Sequence, residues 1–300
     1  MPCLLHLSVA IVFVSLFAGA CTAFVLGPSA SGGSLLLQPQ YQQSLGSKSH
    51  QVQEVQMSSS NATSDDSITI LGLGSLLSER SSRLTFPNLV NFRLGRVPNH
   101  RRVFMHPAAI FFERGIANMD TLEISSLSCE KCDGASFICS VFEVPKDEIL
   151  KKSDVDVDGK RTIIPSQAYL EREEEFDIVQ VPYLEVDSDK PRTGILCRRW
   201  TDDLYARRWG ANRISEKYGP HGITSIWDQW TKPDSGILPC AAYLRHCFLA
   251  AEKMGPICLS SFLDETYLAD RKTTIRQYLG ENPEVLKTVP PGELAVRYGG

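Results

Sequence analysis

Ile68-Thr69-Ile70-Leu71-Gly72-Leu73-Gly74-Ser75-Leu76-Leu77 is the stretch from which the fold can be read. Ile68 to Leu73 is a short apolar run, the pattern of a buried strand. Gly72-Leu73-Gly74-Ser75 then carries it into a tight loop. This is not a Walker loop, because no Gly-Lys-Ser/Thr follows. A dinucleotide fingerprint fails as well: Leu77 stands where the third glycine belongs, and no acid sits about twenty residues on. A strand entering Gly-x-Gly-Ser still presents several backbone N–H groups to one point, a nest suited to a carboxylate or a developing oxyanion. A tight strand–helix turn with no ligand fits the same residues.

Outward from that loop, strand-like segments are expected around Arg101–Phe104, Ala109–Phe112 and Thr121–Ser125. Gly134 to Val144 is the clearest, with the β-formers Phe137, Ile138, Val141, Phe142 and Val144 and a stop at Pro145. Lys151 to Arg161 reads as an exposed loop. Tyr169 to Asp177 is densely acidic and leads into Ile178–Val181, which alternates like a strand. Thr201 to Lys217 has a helical pattern. A helix begins near Pro239, after Asp234 or Ser235, because Cys240, Ala241, Leu244, Cys247, Phe248 and Ala251 form one apolar stripe. Pro239 suits its first turn and Gly255-Pro256 closes it. A second helix is expected within Asp264–Leu279, stopped by Gly280 and Pro283. Strands first and helices later make an α+β domain with a helical C-terminal extension.

Composition narrows the class. Acidic residues exceed basic ones by only 35 to 31, so no basic face for nucleic acid is expected. Nine cysteines include Cys3 and Cys21, and the other seven lack a regular spacing; an odd number argues against a complete disulfide framework and for a reducing compartment. Leu4 to Ala20 is nearly all apolar and closes on Cys21-Thr22-Ala23, as a signal peptide does. From Phe24 the chain is rich in Ser, Gln and Gly and carries no acid before Glu54, the character of a transit peptide. The leader therefore reads as a bipartite presequence leading to a plastid stroma, with secretion as the alternative. The division expected is 1–66 leader and linker (signal peptide about 1–23, transit-like 24–66), 67–185 catalytic-type domain, and 186–300 C-terminal extension packed on the same domain. No stable membrane association is expected once the leader is removed.

Several constellations need weighing. Glu171-Arg172-Glu173-Glu174-Glu175-Phe176-Asp177 is either a solvated face or a source of one carboxylate in a cavity, where burial would lift its pKa towards that of a general base. Cys129-Glu130-Lys131-Cys132 has no second pair at a zinc spacing and reads as two incidental thiols, with a redox-switched disulfide as the alternative. Cys247, beside His246, falls on the apolar stripe and reads as core. Arg93, Arg96, Arg101 and Arg102 read as a solvated strand edge. Trp200, Tyr205, Trp209, Trp227 and Trp230 read as packing between extension and core.

Taken in order, these motifs resemble a family. Leu73-Gly74-Ser75-Leu76 after a strand resembles the Tyr-Gly-Ser-Leu or Tyr-Gly-Ser-Asn loop of γ-glutamylcyclotransferases. Gly115-Ile116-Ala117 is similar to that fold's Gly-x-Ala strand, and Gly134-Ala135 with Val141-Phe142-Glu143-Val144 to its core strand. Arg172-Glu173 ahead of Phe176 resembles the segment that holds the family's glutamate. The agreement spans Ile68 to Val181. It implies a mixed β-sheet or barrel with flanking helices. It also implies cyclisation of a γ-glutamyl amide or peptide to 5-oxoproline, a reaction of glutathione metabolism, without metal or cofactor. Glu173 would then be the general acid/base, and Leu73, Gly74, Ser75 and Leu76 would hold the small-molecule substrate. Two departures stand out: Leu73 replaces the loop tyrosine, and a shorter spacing to the aromatic leaves Glu171, Glu174 and Glu175 as rival bases. The alternative is a non-catalytic module binding a small ligand or a protein on the same fold.

Overall fold

The computed structural model describes residues 66–299 except 152–155, 158–159, 162–163, 187 and 189. The leader, and most of the loop expected at Lys151–Arg161, lie outside the described residues. Strand β1 (Ser67–Gly72) runs into the expected tight loop, one 3-10 turn over Ser75–Leu77, and helix α1 (Glu79–Thr85). Ser78 caps α1, its Oγ accepting from the Ser81 N–H at 3.3 Å. Two long strands follow, β2 (Val90–Pro107) and β3 (Glu123–Pro145), joined through helix α2 (Ala109–Glu113). Each stops at a proline, which cannot donate to a ladder. Midway along the pair, Asn99 and Gly134 both take positive φ, and the Gly134 N–H donates to Asn99 Oδ1 at 3.2 Å. The register shifts there, between Pro98 and His100. A bulge at this point bends both long strands together.

Helix α3 (Lys146–Ile149), the short pair β4 (Asp156–Val157) and β5 (Lys160–Arg161), and helix α4 (Gln167–Arg172) precede strands β6 (Asp177–Glu185) and β7 (Pro191–Arg198). The sheet order β3-β1-β7-β6-β2 closes on itself, because β2 also pairs with β3. The result is a mixed sheet rolled into a five-stranded barrel, antiparallel throughout except for the β1–β7 contact. The fold is α+β, as the sequence pattern predicts. Beyond the barrel lie α5 (Asp202–Trp209), α6 (Arg213–Tyr218), β8 (Leu238–Pro239), α7 (Ala241–Lys253), α8 (Pro256–Asp264), β9 (Thr266–Tyr267), α9 (Ile275–Glu281) and α10 (Ala295–Tyr298). β8 adds to β3 and β9 to β2, so the later chain extends the same sheet. Among the described residues, no helix is long and apolar enough to cross a membrane.

Several expectations are corrected. Ala109–Phe112 is helix, not strand; Pro107 ends β2 just before it, and Ala-Ile-Phe-Phe has no period to separate the two. Gly115–Ala117 is a turn with Gly115 at φ +63, not a strand. The helix expected within Asp264–Leu279 is confined to α9, whose Thr274–Gln277 capping box sets its start, and β9 occupies the earlier part. Cys240, not Ser235 or Asp234, precedes α7. A division at 185/186 would cut between β6 and β7, which pair from Asp177 opposite Arg198 to Leu184 opposite Pro191. Arg102 is no edge residue but fully buried, its Nη1 donating to the Ile138 carbonyl at 3.1 Å and Nη2 to Ser261 Oγ at 3.0 Å. Its guanidinium lies between the rings of Phe137 and Phe262. Cys129, buried on β3, and Cys132, half-buried where the β2–β3 register shifts, are both free thiols.

The aromatic residues pack as expected. Trp200, Tyr205, Trp227 and Trp230 join Val103, Met105 and Ile124 of the two long strands in one buried cluster. α7 and α8 pack on the barrel core through Leu244, Cys247, Ala251 and Phe262.

Candidate active site

A cavity of about 380 Å³ opens where β1 ends. The loop after β1 forms one wall with Leu73, Gly74, Ser75 and Leu76, and the acidic segment after α4 forms another with Glu171 to Phe176. The predicted site residues, separated by about a hundred positions, thus face one space. α2 contributes Phe111 and Arg114, β7 contributes Cys197, and α7 contributes Tyr243 and His246.

The four carboxylates of the acidic segment differ sharply. Glu171 is exposed and accepts from Gln167 Nε2 at 2.9 Å. Glu174 is buried and saturated: Arg213 Nε donates to it at 2.7 Å, Lys217 Nζ at 2.8 Å and the Tyr205 hydroxyl at 2.5 Å. Burial works to raise its pKa, but Arg213, Lys217 and Tyr205 outweigh it and hold it at about 2. Glu175 accepts from the Tyr218 hydroxyl, and His106 Nε2 lies 3.8 Å away. Against the cost of burial, His106, Lys217 and Tyr218 keep it below the ordinary carboxylate range.

Glu173 behaves in the opposite way. It caps the C-terminus of α4, its N–H donating to the Tyr169 carbonyl at 3.0 Å. Its side chain is only 15% exposed and has one cation beside it, Arg172 at 3.2 Å. Arg172 is itself drawn over the Phe86 ring, 4.2 Å from its centroid. Burial raises the Glu173 pKa, with Arg172 and Cys197 pulling it down and Glu175 pushing it further up; the net shift is upward.

The residues after β7 fix this wall. Trp209 Nε1 donates to the Glu174 carbonyl at 3.0 Å and Trp227 Nε1 to the Glu175 carbonyl at 2.9 Å. Three consecutive glutamates are thus forced apart: one to an Arg–Lys–Tyr cluster, one to a His–Tyr pair, and Glu173 to the cavity.

The opposite wall holds a residue the sequence reading passed over. The Tyr243 hydroxyl abuts Gly74, where an added Cβ would come within 2.4 Å of it. Burial raises its pKa, and Ser126 and the Ser75 backbone beside it pull the other way. Leu73 leaves the loop without its own phenol, yet the cavity has one from α7. His246, one turn further along α7, meets the Ser75 backbone as well, and burial, reinforced by Arg297, lowers its pKa to about 4. Tyr243 and His246 are buried on α7 beside its apolar stripe, outside the six residues that define it. Cys247 is core: burial pushes its thiol up to about 12, which rules out a Cys–His nucleophile.

No family model matches the sequence, and no curated protein matches it. Among solved structures the chain is similar to a gamma-glutamyl cyclotransferase, with 11% identity and a TM-score of 0.32 over 53% of this chain and 89% of that one. It is also similar to an uncharacterized protein from Homo sapiens, at 12% identity and TM-score 0.32 over 53% and 89%. A protein from Arabidopsis thaliana known from its solution structure is a third, at 10% identity and TM-score 0.30 over 55% and 99%. The functional reading rests on the cavity itself.

Proposed function

We propose that the domain is a γ-glutamylcyclotransferase-like enzyme that closes a γ-glutamyl amide or peptide to 5-oxoproline and releases the free amine. One observation carries this reading. Glu173 is buried without the saturating partners that hold Glu174 and Glu175, its proton affinity is raised by that burial, and it lines the same cavity as the loop Leu73–Leu76. A carboxylate in that state suits a group that must take a proton and return it.

On this reading Glu173 removes a proton from the substrate's α-ammonium. The freed amine attacks the γ-carbonyl carbon, the new C–N bond closes the five-membered ring, and the amide C–N bond breaks. Glu173 returns its proton to the leaving nitrogen. The nucleophile is tethered to its own electrophile, so the protein's task is orientation. Gly74 has no side chain, which lets the Tyr243 hydroxyl close against the loop, and on this reading the peptide N–H groups of Gly74 and Leu76 would meet a carboxylate or the developing oxyanion.

The test is 5-oxoproline release from γ-glutamyl amides and glutathione, with Glu173→Gln as the comparison. The alternative, a non-catalytic binding module, would show saturable binding of the same compounds with no release. Delivery to a plastid is a separate proposal that rests on the leader's composition. A fluorescent fusion of residues 1–66 that enters the secretory route without reaching a plastid would sink it.

A further inference from the structure

Four cations line the cavity, and they fall into two pairs. Arg172 and Lys217 are each neutralised by a carboxylate, Glu173 at 3.2 Å and Glu174 at 2.8 Å. Arg114 and Arg297 are not. Arg114 Nη1 donates to the Tyr298 hydroxyl at 2.9 Å, and its guanidinium lies 5.6 Å from the Tyr298 ring centroid, so it is positioned by a neutral group. Among the described residues the Arg297 side chain has no hydrogen-bond or ion-pair partner. Glu113, at the rim of the same cavity, forms no ion pair with either arginine.

The chain holds this arrangement in place. Tyr298 is 3% exposed and packs edge-on against His246, with ring centroids 5.7 Å apart. Arg297 is the neighbour of that anchored residue, so its guanidinium stays at the cavity mouth although it is exposed. Arg297 lies close enough to His246 for its charge to disfavour protonation there. Arg172 and Lys217 each have a carboxylate within reach, whereas among the described residues Arg114 and Arg297 have none.

We infer that Arg297 and Arg114 form an anion subsite, contributed largely by the C-terminal segment, that takes a carboxylate on the leaving-amine side of the substrate. The inference rests on the cyclisation reading above. It divides substrates by chemistry: a γ-glutamyl amino acid or peptide carries that carboxylate, whereas a γ-glutamyl derivative of a simple amine does not. Guanidinium matches a carboxylate in shape as well as charge, which makes the two arginines specificity-determining rather than catalytic.

The experiment compares γ-glutamyl-alanine with γ-glutamyl-methylamide, using wild-type protein, Arg297→Gln and Arg297→Lys. Both turnover and calorimetric binding are measured. Loss of one charge-assisted contact is expected to raise KM and Kd for γ-glutamyl-alanine by roughly tenfold. Both constants for the methylamide should move less than about twofold, on the same principle. Arg297→Lys should recover part of the difference, and added salt should weaken only the alanine compound. Equal losses for the two ligands, or none for either, would overturn the subsite. Absence of turnover in wild type would instead count against the cyclisation reading, and the binding comparison would still judge the subsite. Failure of wild type to bind either ligand would overturn it.

Discussion

Three adjacent glutamates meet three different fates, and the difference is set by what each can reach. Glu174 is committed to Arg213, Lys217 and Tyr205, and its carboxylate is held at about 2. Its folded pKa lies below the 4.5 of an ordinary glutamate, so its stabilising contribution is complete above about pH 4.5 and is lost as pH falls towards 2. Glu174→Gln should therefore flatten the acid limb of stability in that window, as read by denaturant unfolding at a series of pH values. Glu174→Ala leaves the buried Tyr205 hydroxyl without its acceptor and should cost about 1–3 kcal/mol. Glu173 is shifted the other way. On the proposed cyclisation the basic form of Glu173 is the working one, so the acid limb of kcat/KM should lie above pH 4.5, the ordinary value. A limb at or below it would argue that Glu173 is not the group titrating. Composition alone could not rank these carboxylates, because their partners lie 31 to 43 residues further along the chain.

At the scale of elements, the meeting of the β1 loop with α7 builds one wall of the cavity. Gly74 is required there by close approach: a Cβ would meet the Tyr243 oxygen at 2.4 Å. Gly74→Ala should cost about 1–3 kcal/mol by overpacking. Adding Tyr243→Phe removes the clashing oxygen, so the double variant should lose less than the two single changes combined. Strict additivity in thermal or urea unfolding would contradict that contact. How much of this was readable follows the period of each element. The β1 loop, the strand before Pro145 and helix α7 carry clean patterns and stand where they are expected. Ala109–Phe112 does not, since four apolar residues in a row suit either element. Tyr243 is not legible as a site residue because it falls outside the apolar stripe of α7, and the helical period does not mark what a residue beside that stripe meets.

At the scale of the molecule, the later chain is part of both the barrel and the site. β7 closes the sheet between β1 and β6, and Trp209 and Trp227 hold the carbonyls of Glu174 and Glu175. A chain cut after residue 185 would leave β1 and β6 with open edges and Val103, Met105 and Ile124 uncovered. Such a fragment should lack a cooperative unfolding transition, whereas residues 66–300 should show one by circular dichroism. Trp227→Ala, removing a fully buried ring stacked on His106, should cost about 3–5 kcal/mol. Sequence reading placed these aromatics as packing but could not show that they also set the acidic wall, because the indole donors reach backbone carbonyls that no side-chain pattern marks.

The claim that binds the three scales together is that Glu173 moves the proton in a cyclisation reaction. It is tested most directly by 5-oxoproline release from γ-glutamyl amides, peptides and glutathione, comparing wild-type protein with Glu173→Gln of unchanged fold. The account predicts release by wild type and a loss of about 10²–10⁴-fold in the variant, the usual weight of a positioned acid–base group. Release by Glu173→Gln at the wild-type rate, or no release by wild type from any of these substrates, would contradict it.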